Sequence, residues 1–178
     1  MAILPIIVAP DPRLKVKSKP VDKVDANVTR LMDDMLETMY AAPGIGLAAP
    51  QIGVPLRVLV LDCSKEGEPR APMAFANPEI VWASEERIPY EEGCLSLPEQ
   101  FADVTRPRQV RVRYLDRQNE IRELAADGLL AVCLQHEMDH LEGTLFVDHL
   151  STLRRGMIIK KLQKYRKAKA EQAEKQPA

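Results

Sequence analysis

His136-Glu137-Met138-Asp139-His140 sets two imidazoles and a carboxylate at helical spacing. At about 3.6 residues per turn each residue steps roughly 100° around the axis, so His136 and His140 stand about 40° apart and both reach one ion. Glu137 falls roughly 60° to one side of His140, near enough to touch a water beside that ion and turned away from direct ligation. This is where a general base of a metal-dependent hydrolase stands. So short a pattern also recurs by chance on ordinary surface helices, so its surroundings have to carry part of the argument.

The stretch before it does so. Gly128-Leu129-Leu130-Ala131-Val132-Cys133-Leu134 is almost wholly apolar and leads from a candidate N-cap at Asp127 to a stop at Gly143. The pattern predicts a buried helix. Histidines and acids inside an apolar environment need partners, because an unpaired polar group there costs several kcal/mol. A metal satisfies the histidines.

A third ligand is offered by Glu91-Glu92-Gly93-Cys94-Leu95-Ser96-Leu97-Pro98, where Cys94 sits in a setting unlike a core strand. Cys133 lies within the apolar helix and Cys63 follows an apolar strand, places where free cysteine acts as a small hydrophobe. Other ligand sets fit less well. The extended pattern His-Glu-x-x-His-x-x-Gly-x-x-His keeps Gly143 but meets Phe146 at its last ligand. A glutamate about 20 residues beyond the second histidine is replaced by Lys160 and Lys161, with Glu171 the next acid. A closed structural site would need His149, which lies beyond the Gly143 stop.

Length and composition bound the rest. A chain of 178 residues with 46% hydrophobic content supports one core, and no internal repeat divides it. We expect a single metallohydrolase domain over 1–150, a C-terminal helix over 151–170 and a flexible tail over 171–178. Three irregularly spaced cysteines make no disulfide framework, and Met1-Ala2-Ile3-Leu4-Pro5 lacks a signal-peptide layout, so a cytoplasmic location is expected. No apolar run approaches the roughly 20 residues that cross a bilayer, so no membrane partner is expected, nor any specific DNA. The net charge is −1, yet nine Lys or Arg against Glu171 and Glu174 follow Leu153, leaving an acidic body with a basic C-terminus. Such a run is most often a solvated helix face, and it also suits an anionic surface.

Along the chain, Pro5, Pro10, Pro12 and Pro20 predict an extended or turning arm over 1–24. Apolar residues at Val28, Leu31, Met32, Met35, Leu36 and Met39 predict an amphipathic helix that ends at Pro43 and Gly44. Gly44-Ile45-Gly46-Leu47-Ala48-Ala49-Pro50-Gln51 reads as a small-residue loop that a ligand can approach closely, with Gln51 supplying a neutral donor and acceptor. It lacks the Lys and Ser/Thr of a phosphate-binding loop. Strands are predicted over 56–61, 74–82, 87–90, 101–105, 110–114 and 121–124. Helix, many strands, then helices describes an α+β fold, mostly antiparallel short strands around the metal-binding helix, with an N-terminal and a C-terminal helix. In the last of these, Leu153, Met157, Ile158, Leu162 and Tyr165 form one apolar stripe.

Taken together, the blocks Gly44–Gln51, Glu92–Ser96 and His136–His140 resemble the recurring motifs of peptide deformylases: Gly-x-Gly-Leu-Ala-Ala-x-Gln, Glu-Gly-Cys-Leu-Ser and His-Glu-x-Asp-His. All three are present, in order and without departure. The resemblance implies removal of the formyl group from N-formylmethionyl peptides and nascent chains. It implies Cys94, His136 and His140 as ligands of one divalent ion per chain, Fe2+ in the cell, with Zn2+, Ni2+ or Co2+ accepted in its place. By the same resemblance Glu137 carries the proton, and the Leu95 backbone amide and Gln51 side chain help to stabilise the oxyanion. A methionine-sized pocket is implied around Ile45, Leu129, Val132 and Cys133, with the Gly46 backbone pairing with the extended substrate. Glu92 and Arg106 are implied as an ion pair behind Cys94, and the basic C-terminal helix as a ribosome contact. Asp139 receives no role from either reading.

Overall fold

A computed structural model of the chain describes residues 2–176. The N-terminal arm is extended, as its prolines require, apart from one 3₁₀ turn over Pro12–Lys15 that the sequence did not signal. Asp11 caps that turn by accepting from the Arg13 amide, and Leu14 plugs into the core.

Helix α1 (Ala26–Ala41) starts where Asp25 accepts a hydrogen bond from the Val28 amide. Its predicted apolar face holds: Val28, Met32, Met35, Leu36 and Met39 are all buried. Strand β1 (Gly46–Ala48) follows, and this is a correction to the loop reading: Gly46, Leu47 and Ala48 pair with Leu61, Val60 and Leu59 of β2 (Val58–Leu61). The strand was concealed because it is only three residues long and two of them, Gly46 and Ala48, have low β propensity, leaving Leu47 as its one large packed side chain.

β3 (Met73–Ala83), β6 (Gln109–Leu115) and β7 (Ile121–Asp127) complete a five-stranded antiparallel sheet in the order β1-β2-β3-β6-β7. β4 (Arg87–Cys94) and β5 (Leu97–Pro107) form a separate hairpin. Both run longer than predicted, so the cysteine motif ends a strand, with only Leu95 and Ser96 forming the turn. That turn contacts the N-terminal arm, where the Ala9 amide donates to the Ser96 carbonyl at 2.8 Å.

Helix α2 (Leu129–Leu141) runs against the sheet and is buried from Ala131 through Met138. Its start differs from the expected Asp127 cap. Gly128 holds the cap position at φ +61°, and Asp127 belongs to β7, accepting from Arg108 and Gln109. Gly143 ends the helix as read, at φ +76°, where any Cβ would collide with the Lys15 carbonyl. A 3₁₀ turn, Phe146–His149, links it to α3 (Thr152–Lys175), capped by Ser151.

α3 runs five residues past the boundary expected at 170, and residues 177 and 178 of the expected tail lie outside the described residues. Its apolar stripe is shorter than predicted. Ile158 and Leu162 pack with Ile7, Leu97, Val104 and Phe146, whereas Leu153 and Met157 are 75% and 53% exposed. The stripe is buried only in the first half of the helix; beyond Leu162, Arg166 Nη1 donates to the Pro10 carbonyl of the N-terminal arm at 3.4 Å. No helix among the described residues is long and apolar enough to cross a membrane.

Candidate metal centre

The β4–β5 hairpin presents Cys94 at its tip, and α2 presents His136 and His140 on successive turns, as the spacing required. Cys94 Sγ lies 3.3 Å from His140 Nε2, and one ligand atom from each of the three residues falls within 4.8 Å of the others. His136 Nδ1 lies 2.9 Å from Glu92 Oε1. An ionised carboxylate only accepts, so His136 Nδ1 carries the proton and Nε2 keeps its lone pair for an ion. His140 Nδ1 and Glu137 Oε2 are buried without a hydrogen-bond partner among the described residues, an arrangement that asks for a further occupant. One thiolate and two imidazoles suit first-row divalent ions, so the residues present fit a bound metal.

Burial dominates the electrostatics. It pushes the Glu137 carboxyl up to about 7, against the lowering effect of neighbouring His136. It pushes His140 well below the usual histidine value, aided by the charges of His136 and Arg106. Burial also opposes the charged form of His136, but hydrogen bonds to Cys94 and Glu92 outweigh it and hold that group well above the ordinary value.

Behind the ligands stands Arg106, which is 4% exposed. Its Nε and Nη2 donate to the two oxygens of Glu92 at 2.7 and 3.0 Å, and Nη1 donates to Asp139 Oδ2 at 2.8 Å. The ion pair expected behind Cys94 thus stands behind His136. Asp139, whose role could not be read from the sequence, is its third member. His149 Nε2 lies 2.8 Å from the same Asp139 oxygen, so it is not a closing ligand.

Gln51 is 1% exposed and held at three points. Its Oε1 accepts from the Ala48 amide at 2.9 Å, while Nε2 donates to Ser96 Oγ at 3.0 Å and towards Cys94 Sγ at 3.5 Å. Ser96 was missed as a participant; its hydroxyl inside the cysteine motif was the available signal. β1 passes directly over the acid, so close that a Cβ on Gly46 would lie 2.6 Å from Glu137 Oε1.

A cleft of about 560 Å³ opens onto these groups, walled by Ile45, Gly46, Cys94, Leu95, His136 and Glu137. Leu129, Val132 and Cys133, expected in the methionine pocket, do not line it. Leu129 and Cys133 pack with the sheet core, and Val132 is 2% exposed. They lie within two turns before His136 on α2, where a residue can belong to the core and to a pocket wall at once.

An α+β frame in which a Cys-His-His group that could hold a metal converges beside a buried glutamate on one helix has the make-up of a metal-dependent hydrolase. The chain belongs to the polypeptide deformylase family, whose profile matches residues 3–156 and whose members remove the N-formyl group from nascent chains. A peptide deformylase of Phenylobacterium zucineum is 62% identical over 168 residues, covering 94% of this chain and 99% of the relative. One from Mesorhizobium japonicum is 58% identical over 170 residues, covering 96% and 97%. The crystal structure of peptide deformylase from Ehrlichia chaffeensis superposes with a TM-score of 0.91 at 41% identity, covering 95% of this chain and 99% of that one.

Proposed function

We propose that Cys94, His136 and His140 hold one divalent ion and that Glu137 moves the proton while water cleaves the formyl group from N-terminal formylmethionine. The observation that carries this reading is the convergence of three potential ligand atoms beside the buried Glu137 carboxylate, whose Oε2 has no hydrogen-bond partner among the described residues, on the wall of a cleft. A divalent cation there supplies Lewis acidity and draws the pKa of a water from about 16 towards 7. Glu137, raised to about 7, is matched to taking a proton from the attacking water and returning it to the departing amine near neutral pH. Water adds to the formyl carbon, the C–N bond breaks, formate leaves and the peptide keeps a free amino group. As negative charge gathers on the carbonyl oxygen, the Leu95 amide and the Gln51 side chain donate to it. Gln51 already directs donors at Ser96 and Cys94, so it serves this role by sharing the donor aimed at Cys94.

Substrate lies along the Gly46 backbone with its methionine side chain against Ile45, both of which line the cleft. Leu129, Val132 and Cys133 complete the apolar wall around that side chain. Iron(II) is the ion in the cell, and zinc, nickel or cobalt replaces it in purified protein. Residues 1–150 act as one catalytic unit in the cytoplasm, and the basic half of α3 is the ribosome contact.

The test is a formate-release assay on anaerobically purified protein with a formyl-Met tripeptide. Formate and free amino termini are expected in equal amounts. Cleavage of internal peptide bonds without formate would overturn the reading.

A further inference from the structure

On the far side of α2 from the substrate cleft lies a second depression of about 430 Å³, bordered by Arg106, Gln135, Asp139 and His149. From its rim a chain of charged side chains runs to the metal centre. His149 Nε2 meets Asp139 Oδ2 at 2.8 Å, the same oxygen accepts from Arg106 Nη1 at 2.8 Å, Arg106 grips Glu92 with two bonds, and Glu92 meets His136 Nδ1 at 2.9 Å. Exposure falls along it, from 40% for the His149 side chain and 25% for Asp139 to 5% for Arg106 and 3% for Glu92.

The turn that carries His149 is fixed. Phe146 and Val147 are buried, and Asp148 accepts from the Leu145 amide and from Arg155. The same turn touches His136 from another side, where the Phe146 ring stacks on the imidazole with centroids 6.1 Å apart. One rigid element therefore meets His136 twice, directly through Phe146 and indirectly through His149.

We propose that His149 is a positioning residue of the metal centre: by donating to Asp139 it holds that carboxylate against Arg106, and so fixes the Glu92 carboxylate that orients His136. The physical reason is the partial exposure of Asp139. Without a second donor its carboxylate can turn to water, leaving Arg106 Nη1 without a partner and the Glu92 fork free to tilt. Groups that hydrogen-bond a ligand histidine set its tautomer and ring angle, and altering them changes metal affinity by about 10- to 100-fold. His149 acts three links further out, so its share is smaller. This rests on the reading of Cys94, His136 and His140 as ligands.

The test uses the full chain loaded with Co2+, which reports geometry through its visible absorption bands, together with the first-order rate of cobalt loss to excess chelator. His149→Phe keeps a ring and removes the donor; His149→Gln keeps a donor near the same place. We expect roughly three- to tenfold faster cobalt loss and altered bands for the Phe variant, with the Gln variant close to the parent. In an Asp139→Ala background, His149→Phe should change neither readout, because the link it acts through is gone. A Phe variant that matches the parent overturns the proposal. So does a Gln variant as impaired as Phe, or an undiminished effect without Asp139. A parent that retains no cobalt would overturn the ligand reading itself.

Discussion

Gly46→Ala isolates the position of the proton carrier from the stability of the fold. The glycine has no left-handed φ, so alanine suits its backbone. Space is the constraint: a Cβ there would stand 2.6 Å from Glu137 Oε1 and 3.0 Å from both Cδ and Cγ. Reaching an ordinary contact of 3.4 Å requires the carboxylate oxygen to retreat by about 0.8 Å, the difference between those two distances. The obstructing atoms are the end of a rotatable side chain, which can yield, so unfolding free energy should fall by no more than about 1 kcal/mol. Catalysis is less forgiving, since a displacement near 1 Å of a reacting group costs on the order of 10²-fold, or about 2.7 kcal/mol of transition-state stabilisation. We expect kcat for formate release to fall about 100-fold, with metal content unchanged and urea unfolding nearly unchanged. A variant with the parent's kcat would refute the argument that this backbone fixes Glu137. A loss of metal or of fold to the same degree as activity would refute the separation of position from stability.

Replacing Glu137 by Gln keeps size and removes proton uptake; metal content and KM should hold while kcat drops by at least about 10²-fold, measured by formate release. Cys94→Ala should lose its metal in elemental analysis, whereas Cys63→Ala and Cys133→Ala retain theirs, because only Cys94 converges with the two histidines. Burial opposes the charged form of Glu92, but hydrogen bonds from His136 and Arg106 prevail and hold its pKa below 4.5, so its stabilisation is complete above 4.5 and disappears as pH falls through the lower folded value. Urea unfolding of metal-stripped protein should accordingly show the gap between parent and Glu92→Gln closing below 4.5; a gap that widens in acid contradicts the sign. Truncation after Gln163 keeps the buried Ile158 and Leu162 but removes Lys164, Arg166, Lys167 and Lys169, so salt-sensitive co-sedimentation with ribosomes should weaken while short-peptide activity persists. Unchanged co-sedimentation excludes the basic segment as the contact.

Local chemistry made part of this protein legible without coordinates. The spacing of His136 and His140 dictates a shared helix face, the apolar run before them dictates burial, and a glutamate one residue on from a ligand cannot point the same way. Met32, Met35 and Met39 announced the inner face of α1 in the same manner, and Gly143 marked the end of α2 through a conformation that favours glycine. These inferences depend on periods and dihedral limits within a few residues, which a sequence contains. The small-residue block showed that something passes close by but not what, and its strand was invisible because pairing with Leu61 is a long-range event. Tertiary structure alone decided that Glu92 backs His136 instead of Cys94, that Asp139 shares Arg106 with Glu92, and that His149 completes the chain. It also decided that Leu129 and Cys133 belong to the sheet core and that the stripe on α3 is used only at Ile158 and Leu162. Each of those outcomes depends on which surface a side chain meets across tens of residues, and neither periodicity nor propensity carries that distance.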